Sequence, residues 1–174
     1  MVACLLMLFV FILGPSLADA QQLAMNPQHA YPVDWNFTVE LTLECAGQAV
    51  KGVETNLTFD SSILQLDDVT PGPWFTGSGQ DFFFFDYTDL EPQGNIHVAS
   101  SVLDGTLDQD GVFAVLHFTG LVPGTSPVDF TEVDVRDENN GVLVFGRSIG
   151  NLITLDPAID VRPYRFGHLK AVYR

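Results

Sequence analysis

An all-β fold, specifically an antiparallel β-sandwich, is what this 174-residue chain predicts. Three observations carry the prediction. Beyond residue 20, apolar and polar residues alternate with period two, and helical periodicity is almost absent. Turn-forming clusters recur between the alternating runs: "DSS", "TPGP", "TGSGQ", "EPQG", "LDGTLDQDG", "VPGTSP" and "RDENNG". The length suits one domain that buries a core of its own.

The chain divides into three parts. Residues 1–20 have the form of a secretory signal peptide: the apolar run "MVACLLMLFVFILG" is broken by Gly14-Pro15 and followed by the small-x-small signal Ala18-Asp19-Ala20. That run is shorter than the ~20 apolar residues of a membrane span, so none is expected after cleavage. Residues 21–155 hold the sandwich. Residues 156–174, "DPAIDVRPYRFGHLKAVYR", form a basic C-terminal tail with Arg162, Arg165, Lys170 and Arg174 against two aspartates. Its charge is +2, so the overall −15 leaves −17 for the rest.

Taken in order, the first long strand is "FTVELTLEC". It puts Phe37, Val39, Leu41, Leu43 and Cys45 on one side and Thr38, Glu40, Thr42 and Glu44 on the other. Cleavage leaves Cys45 without an internal disulfide partner, and its position on the apolar side makes it a buried, inert thiol. The next strand, "VETNLTFD", alternates Val53, Thr55, Leu57 and Phe59 against Glu54, Asn56, Thr58 and Asp60. Further strands follow in "ILQLDDV", "FFFFDY", "GNIHVASS", "GVFAVLHFTG", "SPVDFTEVDV" and "GVLVFGRSIGNLITL". Asn36 and Asn56 match the N-glycosylation pattern but are read as strand residues.

Several function classes recede at this point. The acidity argues against nucleic acid, since few cations could neutralise phosphates; it suits a secreted, extracellular or cell-surface protein. None of His29, His97, His117 and His168 sits in a serine, cysteine or metal motif. His97 and His117 are expected as neighbours on one sheet face, without a third ligand for a metal. A glycosidase would need two carboxylates across a deep cleft, which a sandwich of this length does not offer. The chain is read as non-enzymatic and without a resident cofactor. Asp104, Asp108 and Asp110 lie among turn glycines and are first turn residues, with a loop calcium as the lesser reading. Trp74, after "TPGP", is the candidate for stacking on a sugar ring, against the commoner fate of a buried loop anchor.

Segments in fixed order resemble the cohesin family. "VKGVETNLTFDSSILQLDDVTPG" is similar to the family's strand, D-S-S turn and second strand ending at Pro-Gly. "GNIHVASSVLDGTLDQDGVFAVLHFTGLVPGTSPVDFTEVDVRDENNGVL" is similar to its second half, with "QDGVFAVLHF" (Gln109 to Phe118) the most specific part. The resemblance spans roughly Phe37 to Leu155. It implies a jelly-roll sandwich of about nine strands and a binding module rather than an enzyme. The partner it implies is a dockerin-like protein module, or a polysaccharide by way of the superfamily's carbohydrate-binding members. The rival reading is a structural or adhesive domain of a cell-envelope assembly with no sugar link.

The resemblance also implies that the partner lies on one sheet face, built here from Glu54–Phe59, Phe82–Tyr87, Asn95–Ser100 and Val112–Thr119. If Asp86 points to water, Phe82 and Phe84 share its side, and Phe83, Phe85 and Tyr87 point inward. By the same alternation His97, Ala99, Phe113, Val115, His117, Asn56 and Thr58 face outward. An apolar patch with a polar margin is what a protein-binding surface looks like. The two outward phenylalanines are therefore read either as anchors for a partner or as core sealed by the chain's own tail.

Overall fold

The computed structural model describes residues 22–26, 30–144 and 146–157. The expected signal peptide, the tail beyond Pro157, His29 and His168 lie outside the described residues. The strands are β1 (Gln22–Asn26), β2 (Ala30–Pro32), β3 (Asn36–Glu44), β4 (Gly52–Phe59), β5 (Leu64–Pro71), β6 (Phe82–Asp86), β7 (Asn95–Val102), β8 (Gly111–Gly120), β9 (Gly124–Arg136), β10 (Arg147–Ile149) and β11 (Asn151–Asp156). A single helical turn, α1 (Pro73–Thr76), and a 3-10 turn at Thr88–Leu90 complete the described elements.

The strands form two sheets. The first has the order β10-β1-β3-β8-β5 and the second β2-β11-β9-β4-β7-β6. This is a jelly-roll sandwich, with more strands than the nine expected. The difference arises at both ends of the domain. Residues 22–32 and 147–156 each contribute a short strand to one sheet and then a second to the other. The strands from opposite ends of the chain pair in parallel, β1 with β10 and β2 with β11. Gly150 sits at the crossing between β10 and β11, where a Cβ would run into the Asp129 side chain and the Val128 carbonyl.

The period-two reading of β3 holds. Phe37, Val39, Leu41, Leu43 and Cys45 are buried, while Thr38, Glu40 and Glu44 are exposed. The core joins the sheets through aromatic contacts. Phe118 of β8 lies 5.8 Å from Phe37 in its own sheet and meets Phe59 of the facing sheet edge-on at 5.3 Å. Tyr31 stacks on Phe37 at 4.0 Å.

Trp74 is core rather than a sugar platform. It is 7 % exposed, packs edge-on against Phe75, and its Nε1 donates to the Gln109 carbonyl at 2.6 Å. Proline at the first helical position turns the chain after Gly72 and drives both rings inward. The indole thereby anchors the loop before β8. Replacing Trp74 with Phe keeps most of the apolar volume but removes that donor; a loss of about 1–3 kcal/mol in denaturant unfolding is expected.

The same loop seals Cys45. The Cys45 N–H donates to Asp110 Oδ1 at 2.7 Å, and its Sγ lies 3.4 Å from the Gln109 carbonyl. Burial, then the nearby carboxylates of Asp110 and Asp108, push the thiol up to about 12. With residues 1–20 removed, Cys45 should resist a thiol reagent at about pH 8 in the folded protein and react rapidly in guanidinium. Asp110 is thus engaged in holding the loop, and among the described residues no group of three His, Cys, Asp or Glu side chains could hold a metal ion.

Candidate functional site

Among the described residues, the outer face of the second sheet carries a run of exposed, stacked rings, and its residues are not all those the alternation picked. In β6 the parity is reversed. Phe82 and Phe84 are half-buried against the core, with Phe82 5.4 Å from Phe75. Phe83 and Phe85 stand outward, 39 % and 48 % exposed.

The register with β7 shows why. Phe82, Phe84 and Asp86 lie opposite Val102, Ser100 and Val98, all of which point into the sandwich. Phe83 and Phe85 lie opposite Ser101 and Ala99, which point out. Asp86 has inward parity, yet it is exposed because it ends the strand, where its Oδ1 accepts a hydrogen bond from the Thr88 N–H at 2.9 Å. Its solvent contact comes from the turn and gives no guide to the strand's faces.

The outward rings form a ladder along the sheet edge. Phe83 and Phe85 are 5.4 Å apart, Phe85 and Tyr87 5.7 Å, and Tyr87 and His97 5.0 Å. His97 continues the ladder onto β7; the alternation expects it outward but places Tyr87 inward, and the structure reverses the latter. Its Nε2 is 2.8 Å from Glu54 Oε1 on β4, and its Nδ1 is 3.5 Å from Glu91 Oε1 in the loop after β6. The imidazole thus ties the edge loop to the middle of the sheet.

Beyond Glu54, Asn56 donates to Glu132 Oε2 at 3.0 Å, so β9 joins the same face. Ala99 and Thr58 complete it as half-buried outward residues. At the far end Arg136 donates from Nε and Nη2 to Asp134 Oδ2, at 3.0 and 2.6 Å. Burying such rings against a partner would contribute roughly 1.5–3 kcal/mol each before association costs.

The remaining expected members lie elsewhere. β8 belongs to the first sheet, so Phe113, Val115 and His117 cannot share a face with β4, β6 and β7. Val115 and His117 do point outward, but from the first sheet, where His117 Nε2 lies 3.0 Å from Thr70 Oγ1. The expected neighbourhood of His97 and His117 is therefore dissolved. Phe113 is fully buried. Against β3, Leu41 pairs with Ala114 and Thr42 with Val112, so Phe113 is the extra residue of a bulge that turns its ring into the core.

A six-stranded jelly-roll face with exposed stacked rings and a polar margin is the form of a protein-recognition surface. The chain belongs to the cohesin domain family, whose signature it matches over residues 25–145. Solved structures agree on the fold. The seventh ScaB type I cohesin of Pseudobacteroides cellulosolvens superposes with a TM-score of 0.67 at 15% identity, over 82% of this chain and 96% of that one. The non-cellulosomal cohesin of the archaeon Archaeoglobus fulgidus gives 0.64 at 13% identity, over 79% and 91%. The Coh-OlpA–Doc918 cohesin–dockerin complex of Clostridium thermocellum gives 0.64 at 12% identity, over 79% and 100%. No curated protein sequence matches the chain.

Proposed function

We propose that this protein is a non-catalytic docking module whose outer β9-β4-β7-β6 face receives a dockerin-type protein. The observation that carries this reading is the exposed ladder of Phe83, Phe85 and Tyr87, continued by His97. Family membership supports it, as does the likeness to cohesins solved in complex with dockerins. A protein partner is favoured over a polysaccharide because Trp74, the residue singled out for sugar stacking, is buried under the loop before β8. We place the module outside the cell or on its surface, on the strength of the leader-like residues 1–20. A link to polysaccharide breakdown is part of the proposal only through the company that cohesins keep; a non-cellulosomal cohesin is among the structural neighbours.

The test is biolayer interferometry of the immobilised protein against dockerin-type proteins of the same source, alongside Phe85→Ala. Binding by the wild type and weakening by about tenfold or more in the variant is expected. Equal affinities for wild type and Phe85→Ala would remove this face as the site.

A further inference from the structure

The chain contains two Asn-x-Thr triplets, Asn36-Phe37-Thr38 in β3 and Asn56-Leu57-Thr58 in β4, and both lie in strands as read from the sequence. The pattern is an acceptor for N-linked glycans where the protein leaves the cytoplasm and the side chain has room for a bulky sugar. The fold separates the two sites.

Asn56 is hemmed in. It is half-buried within the second sheet, opposite His97 on β7 and Glu132 on β9. Its Nδ2, the atom a glycan would occupy, donates to Glu132 Oε2 at 3.0 Å. A sugar there would crowd that contact and stand on the docking face itself.

Asn36 is open. It is exposed at the start of β3, on the outer side of the first sheet with Thr38 and Glu40. On one side β8 flanks it, where Thr119 Oγ1 lies 2.9 Å from Asn36 Oδ1. On the other side β1 runs only to Asn26, opposite Glu40, so no described strand pairs with Asn36 there. Its Nδ2 makes no hydrogen bond among the described residues, and a bond formed at Nδ2 leaves Oδ1 as an acceptor. The neighbouring indole of Trp35 is 56 % exposed, an apolar ring within reach of an attached sugar.

We propose that Asn36 carries an N-linked glycan and that Asn56 does not. The donor is a lipid-pyrophosphate-linked oligosaccharide, used by a membrane transferase as the chain is exported. Asn36 Nδ2 bonds to the anomeric carbon of the first sugar, and that carbon's bond to the pyrophosphate oxygen breaks. The lipid pyrophosphate leaves with the electron pair, and the amide gives one proton to a base of the transferase. The folded domain accommodates the product at Asn36, and a glycan on the first sheet leaves the β9-β4-β7-β6 face clear. The inference goes beyond docking and rests only on the placement of the module outside the cell.

The test is mass spectrometry of the full chain expressed in, and secreted by, its own source. Lys51 is the first Lys or Arg of the sequence and Arg136 the next, so trypsin puts Asn36 in residues 21–51 and Asn56 in residues 52–136. The first peptide is expected to be heavier by whole sugar residues, with fragmentation placing the added mass on Asn36. The second is expected at its sequence mass. Thr38→Ala should lose the added mass, and Thr38→Ser, which keeps the hydroxyl, should retain it.

Secreted protein whose 21–51 peptide has only its sequence mass overturns the proposal and leaves both export and docking intact. Added mass on Thr38, or mass that persists in Thr38→Ala, overturns it as well. Sugar on Asn56 overturns the contrast between the two sites. A chain that keeps residues 1–20 and stays inside the cell overturns the proposal together with the extracellular placement.

Discussion

Phe118→Ala is expected to lower the unfolding free energy by about 3–5 kcal/mol, a large fraction of the total stability of a domain this size. Phe118 is fully buried, and it is the ring through which the sheets meet: Phe37 lies against it from the first sheet and Phe59 edge-on from the second. Removing it leaves a cavity that the facing strands cannot close, because each is fixed by its ladder. Phe118 is paired in register with Phe37 on one side and Leu66 on the other. The midpoint of thermal unfolding should fall by roughly 10 °C or more. Phe85→Ala removes the same side chain from an exposed position and should change stability by no more than about 0.5 kcal/mol. Circular dichroism melts of the two variants together separate rings that hold the fold from rings that do not.

The second large effect is on binding. Phe83→Asp/Phe85→Asp should abolish capture of a dockerin-type partner while leaving the melt close to that of the wild type. Both positions point out of the second sheet, so the charges enter water in the free protein at little cost. In a complex the same charges would be desolvated against apolar groups, and a buried unpaired carboxylate is far more costly than a lost ring. The comparison pair is Phe82→Asp/Phe84→Asp. Those side chains pack on the core, with Phe82 against Phe75, so that variant should be destabilised before binding is ever at issue. A binding defect confined to the Phe83/Phe85 pair, with a folding defect confined to the Phe82/Phe84 pair, is the expected pattern.

How far the chain could be read in advance depended on chemical contrast between the two sides of each strand. On β3 the contrast is complete, Val and Leu against Thr and Glu, and the burial follows the alternation. On β7 it is nearly so, and Ile96 and Val98 point inward while His97 and Ala99 point outward. Four consecutive phenylalanines offer no contrast at all. Their faces had to be inferred from Asp86, and the turn rather than the sheet determines that residue's exposure.

The bulge at Phe113 is invisible for a different reason: it is a property of the pairing between β3 and β8, residues far apart in the chain. The placement of β8 in the opposite sheet is likewise long-range information, and it scattered a patch that looked continuous along the sequence. Glu54, Glu91 and Asp134 were missed as site residues because single carboxylates in a chain of this acidity carry no local signal. Tyr87, expected inward with Phe83 and Phe85, lies in the outward ladder instead, and its residue type carried a local signal for that. A tyrosine just past a phenylalanine run has an amphipathic ring suited to the border between apolar surface and water.

The most direct measurement is photocrosslinking with a benzophenone side chain placed, one position at a time, at Phe85 on the second sheet and at Val115 on the outer side of the first. The expected result is a covalent adduct with a dockerin-type partner from position 85 and none from position 115. Adducts from position 115 with none from position 85 would contradict the assignment of the second sheet as the docking face.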